Sequence, residues 1–303
     1  MIYKTYKEKV ELLLEVLPFA LQDPRMALKG GTAINLFYRD LPRLSIDIDL
    51  TYLPLEDRKT TFQNVHSILE KIQTNLVENL GLKVVATHPL DGQRETKLLV
   101  SQEKIEIKIE PNFIIRGSLF EPTPRPTSVQ VQAKFSKDIE VKCLSMADLY
   151  GGKIVAALDR QHPRDFFDLF HLFKNEGITK EIKDAFIFYL LSHNRPPHEI
   201  LNPNILDLDG MIENEFRGMT EDTVTSEKIK GVQKRLSSHV RNSMNPQDKA
   251  FLLSFFDGQP QWERFSFPKI QTYPSIQWKI LNLSKMDYEK RKNQREALEK
   301  ILD

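Results

Sequence analysis

The chain has 303 residues, 40% of them hydrophobic and 28% charged, the profile of an ordinary folded protein with ample material for a core. Basic and acidic residues nearly balance, 43 against 42, so bulk charge offers no argument for nucleic acid and any such argument must come from local clusters. A lone cysteine, Cys143, excludes a disulfide framework or a cysteine-rich zinc site, and its alternating apolar surroundings read as those of a buried structural thiol. No apolar run is long enough to span a bilayer, and the charged start, Met1 to Lys9, lacks a signal peptide's pattern; a cytoplasmic protein without a membrane partner is expected.

In chain order, Leu12 to Leu21 reads as a helix ended near Asp23-Pro24. Met26 to Leu28 is a short strand running into Gly30-Gly31, and Thr32 is placed to cap a helix through Ala33, Ile34, Leu36 and Phe37. After a polar turn from Arg39 to Arg43, Leu44-Ser-Ile-Asp-Ile-Asp-Leu50 alternates strictly, with Ser45, Asp47 and Asp49 on the face opposite the apolar residues. Phe62, Val65, Ile68, Leu69, Ile72 and Leu76 have helical spacing, with a cap expected at Thr60 or Thr61. Strands are predicted over Leu82 to Ala86, Lys97 to Ser101 and Lys104 to Ile109. Pro122, Pro124 and Pro126 mark a loop, and two alternating runs follow, Val129 to Phe135 and Ile139 to Cys143.

From Met146 the pattern turns helical, with helices predicted over 146–160, 163–174, 180–192, 226–237, 246–256 and 287–302. The expected organisation is α+β: a mixed α/β domain over 1–145 and a mostly helical domain over 146–303 that completes the active site.

The chemistry concentrates in one stretch. Asp47 and Asp49, two apart on a strand, share a face with backbones roughly 6–7 Å apart, close enough to serve one or two hard cations. A glycine pair before a helix lets the backbone approach phosphate, which the helix N-terminus favours. A G-G-T turn alone is common, and a D-x-D strand alone is more often a solvated sheet face. Their order and spacing together resemble the polymerase-β-like nucleotidyltransferase signature, with a slightly long gap from Gly31 to Asp47 that the Arg39–Arg43 turn can absorb.

That resemblance implies a third carboxylate on a later strand. Glu106 and Glu110 both lie opposite the isoleucines of Ile105-Glu-Ile-Lys-Ile-Glu110, beside Lys104 and Lys108; Glu110 is preferred, and cross-strand charge pairing is the plainer alternative. Pro111 suggests that this strand ends or lies at an edge there. Farther on, Lys153 follows Gly151-Gly152 and shares a helix face with Arg160, and Pro163 opens a helix bearing Arg164, Asp165 and Asp168. Phe166, Leu169, Phe170 and Phe173 are that helix's predicted buried stripe. Lys153 reads as a contact to a triphosphate, and Asp165 or Asp168 as an orienting carboxylate, against the alternative of an Arg164–Asp168 surface pair.

Taken together, Leu28-Lys-Gly-Gly-Thr-Ala-Ile34, Arg43 through Leu50, Lys108-Ile-Glu-Pro-Asn112 with Arg116, and Lys153 through Arg160 to Asp168 resemble the AbiEii/AbiGii-type nucleotidyltransferase toxins. Ala250-Phe-Leu-Leu253 and Trp278-Lys-Ile-Leu-Asn-Leu283 resemble that family's closing helices, and residues 180–240 are the least recognisable. The resemblance implies transfer of a nucleoside monophosphate from a nucleoside triphosphate, in some relatives onto the 3′ end of tRNA, within a toxin–antitoxin or abortive-infection system. It implies Mg²⁺ or Mn²⁺ held by Asp47, Asp49 and Glu110, with Lys153, Asp165 and Asp168 serving catalysis. Lys29, Gly30, Gly31, Thr32, Ser45, Lys108, Arg160 and Arg164 would bind the nucleotide, and a separately encoded antitoxin would oppose the protein.

Transfer to a protein or small molecule, or a non-catalytic nucleotide-binding module, are the alternatives. Retention of Asp47, Asp49 and Lys153 argues against a decayed core. The seven histidines lack ligand spacing, which argues against zinc. The basic residues of the last helix (Lys285, Lys290, Arg291, Lys292, Arg295) alternate with acids and read as a solvated helix more than as an RNA grip.

Overall fold

The computed structural model describes residues 2–87, 97–222 and 224–303. The chain forms two compact units, Met1–Leu149 with Arg217–Thr223, and Tyr150–Phe216 with Val224–Asp303.

The first unit is built on a seven-stranded mixed sheet of β1 (Met26–Lys29), β2 (Asp47–Tyr52), β3 (Lys83–Thr87), β4 (Lys97–Gln102), β5 (Ile105–Asn112), β6 (Thr123–Pro126) and β7 (Glu140–Cys143), in the order β3-β4-β5-β2-β1-β7-β6. β2 lies antiparallel to β1 and parallel to β5, which sets Asp47 against Lys108 and Asp49 between Lys29 and Glu110. Period-two alternation turns Ile48, Leu50, Ile107 and Ile109 into the core, while the residues between them remain half exposed. Helices α1 (Ile2–Ala20) and α3 (Arg58–Leu80) contribute Val10, Leu13, Leu17, Val65, Ile68 and Leu76 to that core.

Helix α1 begins well before the apolar run that predicts it, and α3 starts from Asp57, whose carboxylate accepts from the Thr60 N–H, rather than from Thr60 or Thr61. Strand β2 begins at Asp47, three residues later than the alternation suggests.

Two expectations between residues 111 and 135 are corrected. Strand β5 ends at Asn112, one residue past Pro111 and in keeping with that proline, although Pro111 does not lie on an edge strand. It pairs with Leu50 of β2, and the β4 pairing stops at Leu98–Ile109, so no donor on that side is forfeited among the described residues. The proline loop contains edge strand β6, where Thr127 N–H donates to the Ile139 carbonyl (2.9 Å); by strand parity Pro124 and Pro126 turn their nitrogens away from β7, where no ladder donor is needed. Val129–Phe135 is not a strand but helix α4. Its Val131 and Phe135, four apart, share the buried face, while Val129 is exposed. The V-Q-V-Q pattern satisfies both periods, and the left-handed Ser136 (φ 52°) closes the helical solution.

Residues 217–222 return to the first unit through hydrogen bonds to the turn before β2: Leu44 N–H to the Met219 carbonyl (2.7 Å) and the Thr220 hydroxyl to the Pro42 carbonyl (2.7 Å). Helix α5 (Met146–Arg160) begins in the first unit and continues into the second.

The second unit is helical, with α6 (Pro163–Asn175), α7 (Lys180–Leu191), α8 (Pro197–Leu201), α9 (Asp209–Met211, followed by a π turn), α10 (Ser226–Ser243), α11 (Pro246–Phe256), α12 (Pro274–Ser284) and α13 (Tyr288–Leu302). A cluster of Phe251, Phe255, Phe265 and Trp262 fills part of its core. In α6 the fully buried aromatic pair is Phe166 and Phe167, whereas Phe170 and Phe173 of the predicted stripe are only half buried. No described helix is long and apolar enough to cross a membrane.

Candidate active site

Strand β1 ends at Lys29, and the chain turns at Gly30 (φ 77°) into helix α2 (Gly30–Ala33), which widens into a π turn over Ile34–Tyr38. Both glycines are needed for close approach. A Cβ on Gly30 would lie 2.3 Å from Asp49 Oδ2, and one on Gly31 would lie 2.6 Å from Arg43 Nη2 and 3.0 Å from Ser45 Oγ. The turn therefore rests directly against the D-x-D strand. Thr32 does not cap the helix as expected; it sits inside it and donates to the Asp47 carbonyl (2.5 Å), 3.0 Å from the Ser45 hydroxyl. This contact binds the glycine turn to the start of β2.

The strand registers bring Asp47, Asp49, Lys108 and Glu110 together, and Lys29 faces Asp49 from β1. Lys108 Nζ lies 3.7 Å from Asp47 Oδ1 and 3.4 Å from Glu110 Oε2, and Lys97 Nζ lies 3.6 Å from Glu110 Oε1. Partial burial alone would lower the Lys108 ammonium's pKa, but Asp47 and Glu110 outweigh it and hold the group above its ordinary value. Asp47 and Glu110 keep 31% and 40% of their side-chain surface, so this face remains open to a ligand. Glu106 lies off this group, toward Ser101 at 3.4 Å.

Among the described residues no three His, Cys, Asp or Glu side chains converge as a ready-made metal cage. An open pair of carboxylates still fits Mg²⁺, which keeps several waters and takes the rest of its shell from one or two carboxylates and substrate phosphates. Asp49, touching the Gly30 turn, is placed to share a cation with a phosphate resting there.

Two residues of this face are given no site role by the sequence. Arg43 is buried, donates to the Leu44 carbonyl (3.0 Å) and lays its guanidinium over Gly31; its sequence signal is that it opens the Arg43–Leu50 stretch in which the family resemblance lies. Lys97 reaches Glu110 because β4 neighbours β5, which spacing alone does not reveal. Arg116 belongs elsewhere, its guanidinium donating to the Glu56 carbonyl (2.8 Å) at the start of α3.

In the second unit, Gly151 lets α5 touch α7, since a Cβ there would meet Ala185 and Phe186 at 2.6–2.7 Å; Gly151-Gly152 is thus a helix-packing pair. Lys153 is buried with its Nζ 3.0 Å from both Asp165 and Asp168. Arg160 grips Asp165 with two hydrogen bonds, Nε to Oδ2 at 2.7 Å and Nη2 to Oδ1 at 3.0 Å. Burial raises the Asp165 pKa, but Lys153 and Arg160 overcome it and hold the carboxyl far below the usual carboxylate range. Arg164 leans on His162, which accepts from the Arg164 N–H (3.1 Å) as the cap of α6 and meets Glu215 at 2.9 Å; burial holds this imidazole below its ordinary value. In α13, Arg295 pairs with Asp257 (3.0 Å) and Glu299 (2.5 Å), in keeping with a solvated helix. Cys143, buried at the end of β7, has its thiol pushed up to about 12 by burial.

A glycine turn set against a D-x-D strand in a mixed sheet, followed by a helical unit, defines an enzyme of the nucleotidyl-transfer class. The family model of the AbiEii nucleotidyl transferase toxins of type IV toxin–antitoxin systems matches residues 11–279, and the chain belongs to that family. Its activity is accordingly that of a nucleotidyltransferase. Its fold is similar to that of MenT4, a nucleotidyltransferase toxin from Mycobacterium tuberculosis H37Rv, with a TM-score of 0.60 at 13% identity over 100% of this chain and 94% of that one. A comparison with curated protein sequences finds no match.

Proposed function

We propose that the protein transfers a nucleoside monophosphate from a nucleoside triphosphate to the 3′ end of an RNA, with tRNA as the acceptor. The observation that carries this reading is the contact of the Asp49 carboxylate with the Gly30 turn, which sets an acidic cation-binding edge beside backbone suited to phosphate. Asp47 and Asp49, with Glu110 across from Asp49, would hold Mg²⁺ or Mn²⁺, which when bound would supply charge neutralisation to the attacking and leaving oxygens. Lys29, Arg43, Ser45 and Lys108 orient the phosphates around the Gly30-Gly31-Thr32 turn. The acceptor hydroxyl oxygen bonds to the α-phosphorus as the bond to the bridging oxygen breaks and pyrophosphate leaves. The proton of that hydroxyl passes to Glu110, the carboxylate facing Asp49.

The tRNA acceptor, the cytoplasmic setting, a role in abortive infection and control by a separately encoded antitoxin rest on the family resemblance. For Lys153, Asp165 and Asp168, with Arg160 gripping Asp165 from the surface, our reading is that the buried cluster orders the helical unit that the reaction depends on, while Arg164 leans on His162 beside it. The test is incubation with Mg²⁺, each labelled triphosphate in turn, and total tRNA or total protein. Label on tRNA that disappears with Asp49→Ala supports the reading. Label on protein moves the acceptor to another class. No transfer from any triphosphate, with growth arrest undiminished in the Asp47→Ala/Asp49→Ala variant, overturns it.

A further inference from the structure

The second unit carries a groove that the chemistry above does not use. It lies between α6 and α10, encloses about 300 Å³, and is lined by Phe170, Phe173, Lys174, Val232, Arg235 and His239. That volume matches the lower end of small-molecule sites and is enough for a nucleobase. Val232 is buried as its floor, and the two phenylalanines are half exposed. The Phe173 and His239 rings lie 5.2 Å apart at 39°, and Lys228 Nζ stands 5.9 Å from the centre of Phe170.

The charge is one-sided. No acidic residue lines the groove, and α10 carries Lys228, Lys230, Lys234, Arg235 and Arg241 against one acid, Glu227. Lys230 is committed to Asp209 at 2.6 Å. Lys174, Lys228 and Arg235 meet no carboxylate among the described residues, although 42 acidic residues are available in the chain. Unneutralised cations around accessible ring faces match a ligand that offers phosphate and a flat base together. An acidic peptide would satisfy the cations and leave the rings without a role.

We infer that this groove binds single-stranded RNA, stacking a base against Phe173 and His239 while Lys174, Lys228 and Arg235 hold the adjoining phosphates. The inference rests on the reading that the acceptor is RNA, and it assigns part of that RNA's grip to the helical unit. His239 strengthens the assignment: its Nδ1 lies 2.8 Å from the Arg235 carbonyl, which can only accept, so Nδ1 carries the proton and fixes the ring's orientation.

The test uses the full chain and two fluorescein-labelled strands, a uridine dodecamer and an abasic dodecamer, with binding read by anisotropy over a salt series. Wild-type protein should hold the uridine strand about tenfold more tightly than the abasic one. Phe173→Leu, which keeps apolar volume and removes the ring, should abolish that difference while leaving abasic binding unchanged. Arg235→Gln should weaken both strands and reduce the slope of log affinity against log salt by about 0.7. A misfolded variant would not separate base from backbone in this way.

Equal binding of both strands by wild-type protein, or both variants binding within twofold of wild type, overturns the groove while leaving label transfer to tRNA as a separate measure of the acceptor. Tight binding of a polyglutamate peptide that depends on Arg235, with no preference for uridine over abasic RNA, overturns it in favour of an acidic protein partner.

Discussion

The two units use the same residue types, lysine and aspartate, in opposite ways. On the sheet, Asp47, Lys108 and Glu110 keep 31–43% of their side-chain surface and sit 3.4–3.7 Å apart, loose enough for an incoming cation or phosphate to rearrange them. In the helical unit, Lys153, Asp165 and Asp168 keep at most 7% and close to 3.0 Å. A buried charge has lost its water and depends on its partners, and this is the basis of our proposal that the open arrangement binds and the closed one holds. Residue identity and motif resemblance treat the two alike; their burial differs.

The sharpest way to break this contrast is to exchange stability for activity at each place. Asp49→Asn should lower transfer on the order of 10³-fold, the several kcal/mol expected of a lost cation site, with an unchanged melting temperature. Lys153→Met should do the reverse, costing about 3–5 kcal/mol in urea unfolding by leaving two buried carboxylates uncompensated. If Lys153→Met keeps its stability and loses activity, the cluster is part of the chemistry and the contrast fails.

Gly30→Ala probes the join between turn and strand. Its positive φ should cost about 1–3 kcal/mol, and the added methyl should displace the Asp49 carboxylate, so activity falls further than stability alone predicts. Transfer by the fraction that remains folded is the deciding measurement.

The smallest effect concerns acid. Asp165 has a folded pKa below its unfolded value, so its stabilising contribution is complete above the unfolded value of about 3.9 and is lost as pH falls from there toward the lowered folded value. Asp165→Asn should flatten the stability profile below about pH 4. A profile identical to wild type would mean that Lys153 and Arg160 do not hold the carboxylate ionised.

Legibility followed sequence distance. Gly30-Gly31 and Asp47/Asp49 could be read because turn, helix and strand succeed one another locally, and Glu110 because its strand alternates cleanly. The α+β class was legible because the hydrophobic period changes near Met146, whereas the return of residues 217–222 to the first unit has no local signal. Lys97 and Arg43 were not legible, since their roles depend on which strands and turns become neighbours. Nothing local shows that Met219 and Thr220 return to brace Pro42 and Leu44. Residues 129–135 were misread for another reason: one spacing served two periods, and burial of Val131 and Phe135 on one helical face decided between them.

The prolines of β6 carry a consequence for association. At the outer edge of the sheet, the two positions that face away from β7 are Pro124 and Pro126, and neither can offer an N–H to an approaching strand. That border is chemically capped against templated growth. A neutralising protein that comes to this side must read its side chains, because the backbone there cannot seed a shared ladder.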